Sequence, residues 1–596
     1  MIKIVLLNHI VLQQKNNKVF NMKLSKFKKI FLIGFLIITI MLIPIAIKHK
    51  DLLRDLLTIR ISNTIENTNT EPVLAVFSFD APQDSKLIKP SYHLRLKLSR
   101  STGLSFDEEI LNKFTADNIP LIITIETWGT NAINSYRKNP MNDLINGKFD
   151  NAIKELCIDL IKKRPNVYIR FNPEIEVPYK RYPWQGYVQE YIDAFGYLAK
   201  LCKKYTPQIQ MVWGASGYPG ALEYYPGDHV VDVASVIMKS DSEMKLEVYP
   251  KDYPLKYDLI RRLHRMRFLD KPIFVFGSKN IAKDALDKGM VSEVVKYIQE
   301  EKNIVYSKEN YIRPNPIDKD TIRGNIKIGL YDPNDFLNNE PSISIEHLFA
   351  DFENINNGTF EGRFKRVIER NHDVIVTFEP FRHHQKEYDA EVLKHVLHGN
   401  YDEEIKAFYK IILSTNHTVY LRYAHEMEIP ITRYPWQSQD PVTYINSYRY
   451  FMTFIDSIPE NVKRVWGPAG DRGSIEWYPG NDVVDVMSIA IYGLPDKNIT
   501  DPNMQESFST IFKRKTWRLR FIDKPLFITE FGVKGPEEYQ TKWLEGAALV
   551  LRENPQIIGV NYFNMSDTPK AWGEIKPPDW SITKETLLHF VATLNK

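Results

Sequence analysis

One stretch of this sequence occurs twice. The pentapeptide Arg-Tyr-Pro-Trp-Gln stands unchanged at 181–185 and at 433–437, within two longer similar segments, residues 168–274 and 420–527. In both segments a Glu-x-Glu motif precedes the pentapeptide, and Val-Trp-Gly, Tyr-Pro-Gly and Val-Val-Asp-Val follow it, with an offset of 252 or 253 positions between the copies. Solenoid repeats have periods of roughly 20–50 residues, so a period this long indicates two homologous domains.

Each repeat has the length of a (β/α)8 barrel, which typically needs about 250 residues. In the second copy, short apolar runs alternate with stretches of helical spacing, such as Ile405, Phe408, Ile411 and Ile412. Because alternating strands and helices form parallel sheets, we predict an α/β chain of two tandem (β/α)8 TIM barrels. The eight strands predicted for the second copy are 326–331, 347–352, 373–379, 418–423, 464–466, 486–490, 525–529 and 558–563, and matching strands in the first copy are 121–126, 167–171 and 272–276.

An apolar segment at residues 30–47 follows a lysine-rich stretch, which is typical of an export signal or a single membrane span. We expect a transmembrane or signal-anchor helix there. The rest of the protein would then lie outside the cytoplasm, anchored to the membrane or secreted if the segment is cleaved. The predicted boundaries are 1–29 for a basic cytoplasmic tail, 30–47 for the helix, 48–70 for a linker, 71–300 for a degenerate glycosidase-like barrel, 301–323 for a second linker and 324–596 for a catalytic glycosidase-like barrel.

Composition argues against several other classes of protein. The net charge is +4 and no long basic tract occurs in the body of the chain, so a nucleic-acid partner is not expected. The only cysteines, Cys157 and Cys202, have neither metal-ligand spacing nor a disulfide framework. We therefore predict neither a metal nor a cofactor, and the sequence leaves the oligomeric state open.

Three glutamates follow predicted strands of the second copy. Glu379 ends the third strand, Glu426 comes just after the fourth, and Glu530 comes just after the seventh. Catalytic residues of this fold lie at the carboxyl ends of the barrel strands. Two facing carboxyl groups suit glycoside hydrolysis, in which one protonates the leaving oxygen and the other attacks the anomeric carbon or activates water.

Further motifs of the second copy carry a family resemblance. They are Gly-Asn-Tyr-Asp at 399–402, His-Glu-Met at 425–427, Tyr-Pro-Trp at 434–436, Val-Trp-Gly at 465–467, Trp-Tyr-Pro-Gly-Asn-Asp at 477–482 and Ile-Thr-Glu-Phe-Gly at 528–532. In this order they resemble glycoside hydrolase family 26, the β-mannanase-type family. The resemblance covers nearly all of the second copy and, more weakly, the first. It implies a (β/α)8 barrel and a retaining mechanism.

The resemblance also implies roles for individual residues. Glu426 would be the acid/base and Glu530 the nucleophile. Arg422 and His425 would orient them, and Tyr492 would hydrogen-bond the nucleophile. The remaining residues predicted to bind substrate are Trp436, as a stacking face for a sugar ring, together with Glu379 and Glu428.

The chain departs from the family pattern in both copies. Where the family has asparagine two residues after the acid/base, this chain has Glu428, and the first copy has Glu176 at the matching position. A carboxylate only accepts hydrogen bonds, whereas an amide also donates them, so a shifted sugar preference is expected. The first copy also has Pro173 in place of His425 and Gly277 in place of Glu530. Without a nucleophile, double displacement has no first step, so we predict that the first domain does not hydrolyse by this route. Its Trp184 and Tyr225 would either bind a glycan or serve only as structural support.

Three functions fit these observations. The first is a retaining endo-β-glycosidase, mannanase-like, that hydrolyses a β-linked polysaccharide in the second barrel. The second is a non-catalytic protein that binds polysaccharide or assists exopolysaccharide assembly. The third is a transglycosylase, which would use the same residues with a sugar as acceptor. The joint presence of Arg422, His425, Glu426, Tyr492 and Glu530 favours the enzyme. The glycan and its linkage stay open.

Overall fold

The computed structural model describes most of both copies. The described residues are 73–87, 92–99, 103–105, 120–128, 141–161, 166–178, 182–240, 254–278, 281, 287–311, 325–382, 389–430, 433–493, 506–567 and 576–596. The tail, helix and linker predicted at 1–29, 30–47 and 48–70 lie outside these residues, as does most of the linker predicted at 301–323. Within the described ranges, no helix is long and apolar enough to cross a membrane.

The first copy, as far as it is described, contains nine strands and five α-helices. The strands are β1 (Val73–Phe77), β2 (Lys86–Leu87), β3 (Tyr92–Ser99), β4 (Gly103–Ser105), β5 (Leu121–Thr127), β6 (Val167–Phe171), β7 (Gln210–Trp213), β8 (Ala234–Met238) and β9 (Ile273–Gly277). The helices are α1 (Met141–Ile145), α2 (Asp150–Glu155), α3 (Val188–Tyr205), α4 (Leu255–Arg265) and α5 (Lys288–Glu300).

The second copy contributes eight strands and eight α-helices to the described part of the chain. The strands are β10 (Lys327–Tyr331), β11 (Ile345–Asp351), β12 (Asp373–Glu379), β13 (Val419–Tyr423), β14 (Val462–Trp466), β15 (Val486–Gly493), β16 (Leu526–Val533) and β17 (Ile557–Phe563). The helices are α6 (Phe352–Asn356), α7 (Thr359–Glu369), α8 (Val392–Leu397), α9 (Asp402–Ile412), α10 (Pro441–Met452), α11 (Phe508–Arg518), α12 (Glu537–Glu553) and α13 (Lys584–Leu594).

The eight strands of the second copy close into a barrel. They follow one another in sequence order from β10 to β17, and β17 pairs in parallel with β10 to complete the ring. All eight predicted strands overlap these elements. Their apolar runs are almost fully buried because helices cover the outside of the barrel and side chains fill its interior. On α9, for example, Ile405, Phe408 and Ile412 are buried against the barrel, as their helical spacing predicts.

The first copy does not show the predicted closed barrel in the part that the structure describes. Strands β2, β1, β9 and β8 form one sheet, and β4, β3, β5, β6 and β7 form another. One isolated bridge, between Val212 and Val233, joins them. Strand β1 runs antiparallel to β9, whereas its counterpart β10 has parallel neighbours on both sides. Of the two closed barrels predicted, only the second is therefore closed in the part of the chain that the structure describes.

A missing strand accounts for this difference. Counting back 253 positions from β17 leads to residues 304–310, which form turns and the 3-10 turn Lys308–Asn310 instead of an eighth strand. Without that strand, one edge of β9 would have no neighbour in a parallel barrel. Exposed strand edges invite pairing with any available chain, and β1 pairs with this edge in the opposite direction.

Candidate active site

A cavity of about 930 Å³ opens at the carboxyl ends of the second-copy strands. This size lies at the upper end of the range of about 300–1,000 Å³ for small-molecule sites. Of the residues predicted from sequence, Glu379, His425, Glu426, Tyr492 and Glu530 line the cavity. The other three, which are Arg422, Glu428 and Trp436, are fully or almost fully buried and lie behind its wall.

Glu426 projects into the cavity from a strained backbone. Its φ is 54° and that of Ala424 is 45°, in the left-handed region that side chains other than glycine rarely adopt. The Glu426 amide donates to the Gly467 carbonyl oxygen at 2.9 Å, which holds this turn against the next strand. Strain of this kind costs of order 1–3 kcal/mol and persists where the surrounding structure enforces it.

The surroundings of Glu426 favour its protonated form. Burial of the carboxyl group, followed by the negative charges of Glu530 and Glu428, raises the pKa of Glu426 to about 8. A proton donor that acts near neutral pH needs a pKa in this range, because it must hold its proton before the reaction and release it during the reaction.

Glu530 has the opposite environment. The Arg422 guanidinium forms a short ion pair with Glu530 Oε1, and the Tyr492 hydroxyl donates to Oε2 at 2.9 Å. Arg422 is itself fixed, because its Nε donates to Thr377 Oγ1 at 2.8 Å and its Nη1 donates to Thr529 Oγ1 at 2.9 Å. Hydrogen bonds from a cation and a hydroxyl stabilise a carboxylate in its ionised form.

His425 is neutral and keeps its neighbours in place. Burial and the positive charge of Arg422 hold the pKa of His425 well below its usual range. Its ring centroid lies 5.4 Å from that of Tyr434, and its backbone carbonyl accepts a hydrogen bond from Trp436 Nε1 at 2.8 Å.

The aromatic face at this point of the cavity belongs to Tyr434. Trp436 was predicted to stack on a sugar, but its side chain is fully buried. It lies parallel to Tyr434 with ring centroids 4.5 Å apart, and Tyr434 is the member of the pair that lines the cavity. Trp436 therefore supports the ring that faces the cavity, because its own indole nitrogen is tied to the backbone behind the wall.

Glu428 anchors a backbone turn and does not line the cavity. Its Oε1 accepts hydrogen bonds from the amides of Gly470 and Asp471 at 2.9 and 3.0 Å and from Ser474 Oγ at 2.8 Å. In the first copy, Glu176 Oε1 accepts from the Ser216 and Tyr218 amides at 2.8 and 3.0 Å in the same way. This shared contact explains why both copies carry the second glutamate of the Glu-x-Glu motif.

The sequence did not indicate Trp580 as a residue of the site, and it did not indicate the perturbed pKa of Glu379. Trp580 lines the cavity after the eighth strand and packs on Tyr492 with ring centroids 4.7 Å apart. It lies outside the repeated segments, so only its position beyond the last strand could have indicated it. Glu379 adds a further carboxyl group to the cavity. Burial, followed by the charge of Asp351, raises the pKa of Glu379 to about 8.

The matching site of the first copy is neutralised by its own cations. Lys239 occupies the position of Tyr492, and its Nζ lies 3.2 Å from Oε2 of Glu174, the counterpart of Glu426. Glu126, the counterpart of Glu379, is buried in an ion pair with Arg95. Gly277 stands where Glu530 would be, and a Cβ there would lie 2.7 Å from Ile281 Cγ2, which leaves no room for a longer side chain without movement.

The described residues contain no group of three or more histidine, cysteine, aspartate or glutamate side chains that could hold a metal ion. The cavity brings together Glu426, whose pKa is raised, and Glu530, whose two oxygens are held by Arg422 and Tyr492. Groups of this kind can carry out general acid–base and nucleophilic chemistry within one cavity.

Comparisons with known proteins show distant similarities to glycoside hydrolases. No family model matches the chain. It is 26% identical over 157 residues to the β-1,3-xylanase TXYA of a Vibrio species, a stretch that covers 25% of this chain and 30% of that protein. A β-1,3-xylanase of an Alcaligenes species is 24% identical over 155 residues, which covers 25% of this chain and 29% of the relative. The chain thus spans about 30% of the length of these curated relatives.

Two solved structures are also similar to part of the chain. GH26A from a Muricauda species is 16% identical, with a TM-score of 0.28, and the match covers 42% of this chain and 90% of that one. A GH128 endo-β-1,3-glucanase from Sorangium cellulosum is 14% identical, with a TM-score of 0.29, and the match covers 45% of this chain and 98% of that one.

Proposed function

We propose that the second barrel is a retaining endo-β-glycosidase that hydrolyses a β-linked polysaccharide. The observation that carries this proposal is the pairing of Glu426 and Glu530 in one cavity. Glu426 has a pKa raised to about 8, while Glu530 is bound by a guanidinium and a phenol that favour its carboxylate. One acid and one carboxylate are the two groups that double displacement at an anomeric carbon requires.

In this mechanism Glu530 attacks the anomeric carbon while Glu426 gives its proton to the departing glycosidic oxygen. The bond from the carbon to that oxygen breaks, and a glycosyl ester of Glu530 forms. Glu426 then takes a proton from water, the resulting hydroxide attacks the anomeric carbon, and the ester bond breaks. Glu530 leaves as a carboxylate, Glu426 is protonated again, and the sugar keeps its original configuration.

The other predicted residues have supporting roles in this scheme. Arg422 and Tyr492 hold the Glu530 carboxylate in one orientation through hydrogen bonds to its two oxygens. A fixed nucleophile loses little entropy on reaching the transition state. His425 stays neutral, so it adds no positive charge that would lower the pKa of Glu426. Tyr434 gives the cavity an aromatic face on which a sugar ring can pack, and the buried Trp580 supports Tyr492.

The substrate class follows from two partial resemblances. The curated relatives are β-1,3-xylanases, although they match only a quarter of this chain. The motifs of the second copy resemble the β-mannanase-type family. We therefore place β-1,3-xylan first among candidate substrates, ahead of β-mannan, xylan and mixed-linkage β-glucan.

The test is to incubate the full chain with these four polymers and measure new reducing ends. We expect one polymer to be cleaved, with Glu426→Gln and Glu530→Gln each lowering kcat by about 10³-fold or more, as removal of a catalytic group does elsewhere. NMR of the first-formed product should show the substrate's anomeric configuration. Glu174→Gln in the first copy is the matched control and should leave activity per folded molecule unchanged. Activity that survives in both second-copy variants, or an inverted first product, would contradict the proposal.

A further inference from the structure

The two copies contact each other through an interface that repeats with the offset of the sequence. We call residues 474–478 the second-copy turn and residues 221–225 the first-copy turn. Arg267 of the first copy donates through Nη2 to three carbonyl oxygens of the second-copy turn at 3.0–3.2 Å. Arg520, the residue 253 positions later, donates through Nη2 to the three matching carbonyl oxygens of the first-copy turn at 2.8–3.4 Å.

Neighbouring contacts follow the same rule. His264 Nε2 lies 2.8 Å from the carbonyl oxygen of the second-copy turn at Glu476, and its counterpart Trp517 donates to the matching carbonyl of the first-copy turn at 3.0 Å. The rings of Phe268 and Phe521, which are counterparts of each other, meet with centroids 6.2 Å apart. Matching residues that contact each other across an interface define a twofold, isologous arrangement, here within one chain.

The symmetry is incomplete at two places. Arg472 of the second copy donates to the carbonyl oxygens of Pro219 and Glu176, and its own counterpart is Pro219, which cannot return the contact.

The second place is the buried Glu476, whose contact with Arg265 is matched by Arg518 and Glu223 at 3.2 Å but whose contact with Arg261 is not matched. Glu476 of the second-copy turn accepts from Arg261 Nε at 2.8 Å and from Arg265 Nε at 3.1 Å, both from helix α4 of the first copy. Burial opposes ionisation of Glu476, but the two guanidinium groups outweigh it and hold the pKa of Glu476 below its usual range. The counterpart of Arg261 is Arg514, which pairs with Glu506 on the cavity wall instead.

The second-copy turn is connected to the candidate active site. Ser474, its first residue, donates to Glu428 Oε1, which also accepts from the amides of Gly470 and Asp471. Asp471 lines the cavity. The first copy therefore holds one end of the segment 467–478 and also accepts hydrogen bonds from Arg472 in its middle, where Glu428 anchors the backbone beside the strained Glu426.

We propose that the first copy is a positioning domain for the cavity of the second, and that Arg267 is its main positioning residue. Arg267 fixes the second-copy turn, which keeps Asp471 and the Glu428 anchor in place for substrate. This inference rests on the proposed glycosidase function for its kinetic consequence. It gives the silent copy a role that needs no glycan of its own.

The interface symmetry supplies a matched pair of variants for the test. Arg267→Ala and Arg520→Ala each remove a guanidinium that donates to three carbonyl groups across the same interface. The first variant releases a turn of the second copy, whereas the other releases a turn of the first copy. Any general weakening of the interface affects both variants, so a difference between them reports on positioning.

The first readout is amide hydrogen exchange in the full chain, which requires no substrate. In Arg267→Ala, exchange within residues 467–478 should accelerate about tenfold, because hydrogen bonds from a charged group stabilise the turn. In Arg520→Ala, the acceleration should fall within residues 218–225 instead. Unchanged exchange at 467–478 in Arg267→Ala would overturn the inference, whether or not the protein cleaves a glycan.

The second readout is kinetic and uses the polymer that the wild-type chain cleaves. Arg267→Ala should raise KM about fivefold to tenfold with kcat within about twofold, because it loosens the wall and leaves Glu426 and Glu530 in place. Arg520→Ala should leave KM within about twofold of wild type. Arg267→Lys keeps one charged donor group, so its KM should lie between that of Arg267→Ala and that of the wild type. Equal KM changes in the two alanine variants would overturn the inference. A wild-type chain that cleaves no polymer would instead contradict the proposed function, and the exchange experiment would still decide the positioning role.

Discussion

The mouths of the two copies share a strained backbone turn but place different charged groups beside its glutamate. Glu174 and Glu426 both adopt positive φ, at 58° and 54°, and each amide donates at 2.9 Å to the glycine carbonyl that begins the next loop. In the first copy, Lys239 lies beside Glu174. In the second, Glu426 lies beside a second carboxylate, and its pKa rises to about 8. The same strained backbone thus occurs with a cation beside the glutamate in one copy and a carboxylate beside it in the other.

This comparison separates what the first copy has kept from what it has lost. It retains the Glu176 anchor, the strained turn and the residues that contact the second copy. It has Gly277 at the position of Glu530 and Lys239 at the position of Tyr492. It also keeps Glu174 and Arg170, the counterparts of Glu426 and Arg422, so it retains part of the proposed catalytic set and lacks the rest.

The largest effect is expected when the lysine of the first-copy site is introduced at the matching position of the second copy. Tyr492→Lys should lower kcat about 10³-fold, because an ammonium beside Glu426 and Glu530 favours the charged form of the acid and competes for the nucleophile. Initial rates on the cleaved polymer measure this effect. Tyr492→Phe removes only one hydrogen bond to Glu530, so it should cost about 10-fold to 100-fold.

The reverse change in the first copy is the control. Lys239→Tyr should leave the rate per folded molecule unchanged, because no nucleophile stands at Gly277 and a Cβ there would already meet Ile281. A gain of activity in Lys239→Tyr, or full activity in Tyr492→Lys, would contradict the distinction between the two mouths.

The sequence predicted the barrel of the second copy well and that of the first copy poorly. The eight apolar runs of the second copy became β10 to β17 because alternation with helical spacing is a local signal that burial reinforces. In the first copy the same pattern is weaker, and the missing strand near residues 304–310 decides how β1 pairs. Pairing of β1 depends on which distant edge is free, and spacing along the chain does not contain that information.

For the site, the motif positions predicted which residues come together but not which way each side chain faces. Glu426 and Glu530 share one cavity, as expected from strand ends. Trp436 and Glu428 belong to the same motifs, yet both are buried behind the wall. Their partners are backbone groups elsewhere, the His425 carbonyl for Trp436 and the 470–474 turn for Glu428, and a motif read along the chain does not show such partners.

Matched substitutions in the two copies should also change the free energy of unfolding in opposite directions. Glu426 has a raised pKa, so its contribution to stability is complete below its ordinary value and is lost as the pH rises through about 8. Glu426→Gln should therefore stabilise the fold by about 4–5 kcal/mol at pH 8.5 and have little effect near pH 4.5. Glu174→Gln removes the carboxylate facing buried Lys239 and should destabilise the fold by about 3 kcal/mol at pH 8.5. Denaturant unfolding at the two pH values measures both, and changes of equal sign at pH 8.5 would contradict the assigned charge states.

The smallest expected effect concerns the pH dependence of catalysis. Glu426 must be protonated to act as the acid, so kcat/KM should fall about tenfold per pH unit above a pKa near 8. The negative charge of Glu428 contributes to that raised pKa, after burial and Glu530. Glu428→Gln should therefore move the alkaline limb to lower pH, by about half a unit, because less repulsion opposes ionisation of Glu426. Glu176→Gln disturbs the equivalent anchor in the first copy without touching the charges around Glu426, so it should leave the limb where it is. If both variants moved the limb equally, the shift would come from the loosened turn, and the electrostatic coupling between Glu428 and Glu426 would be refuted.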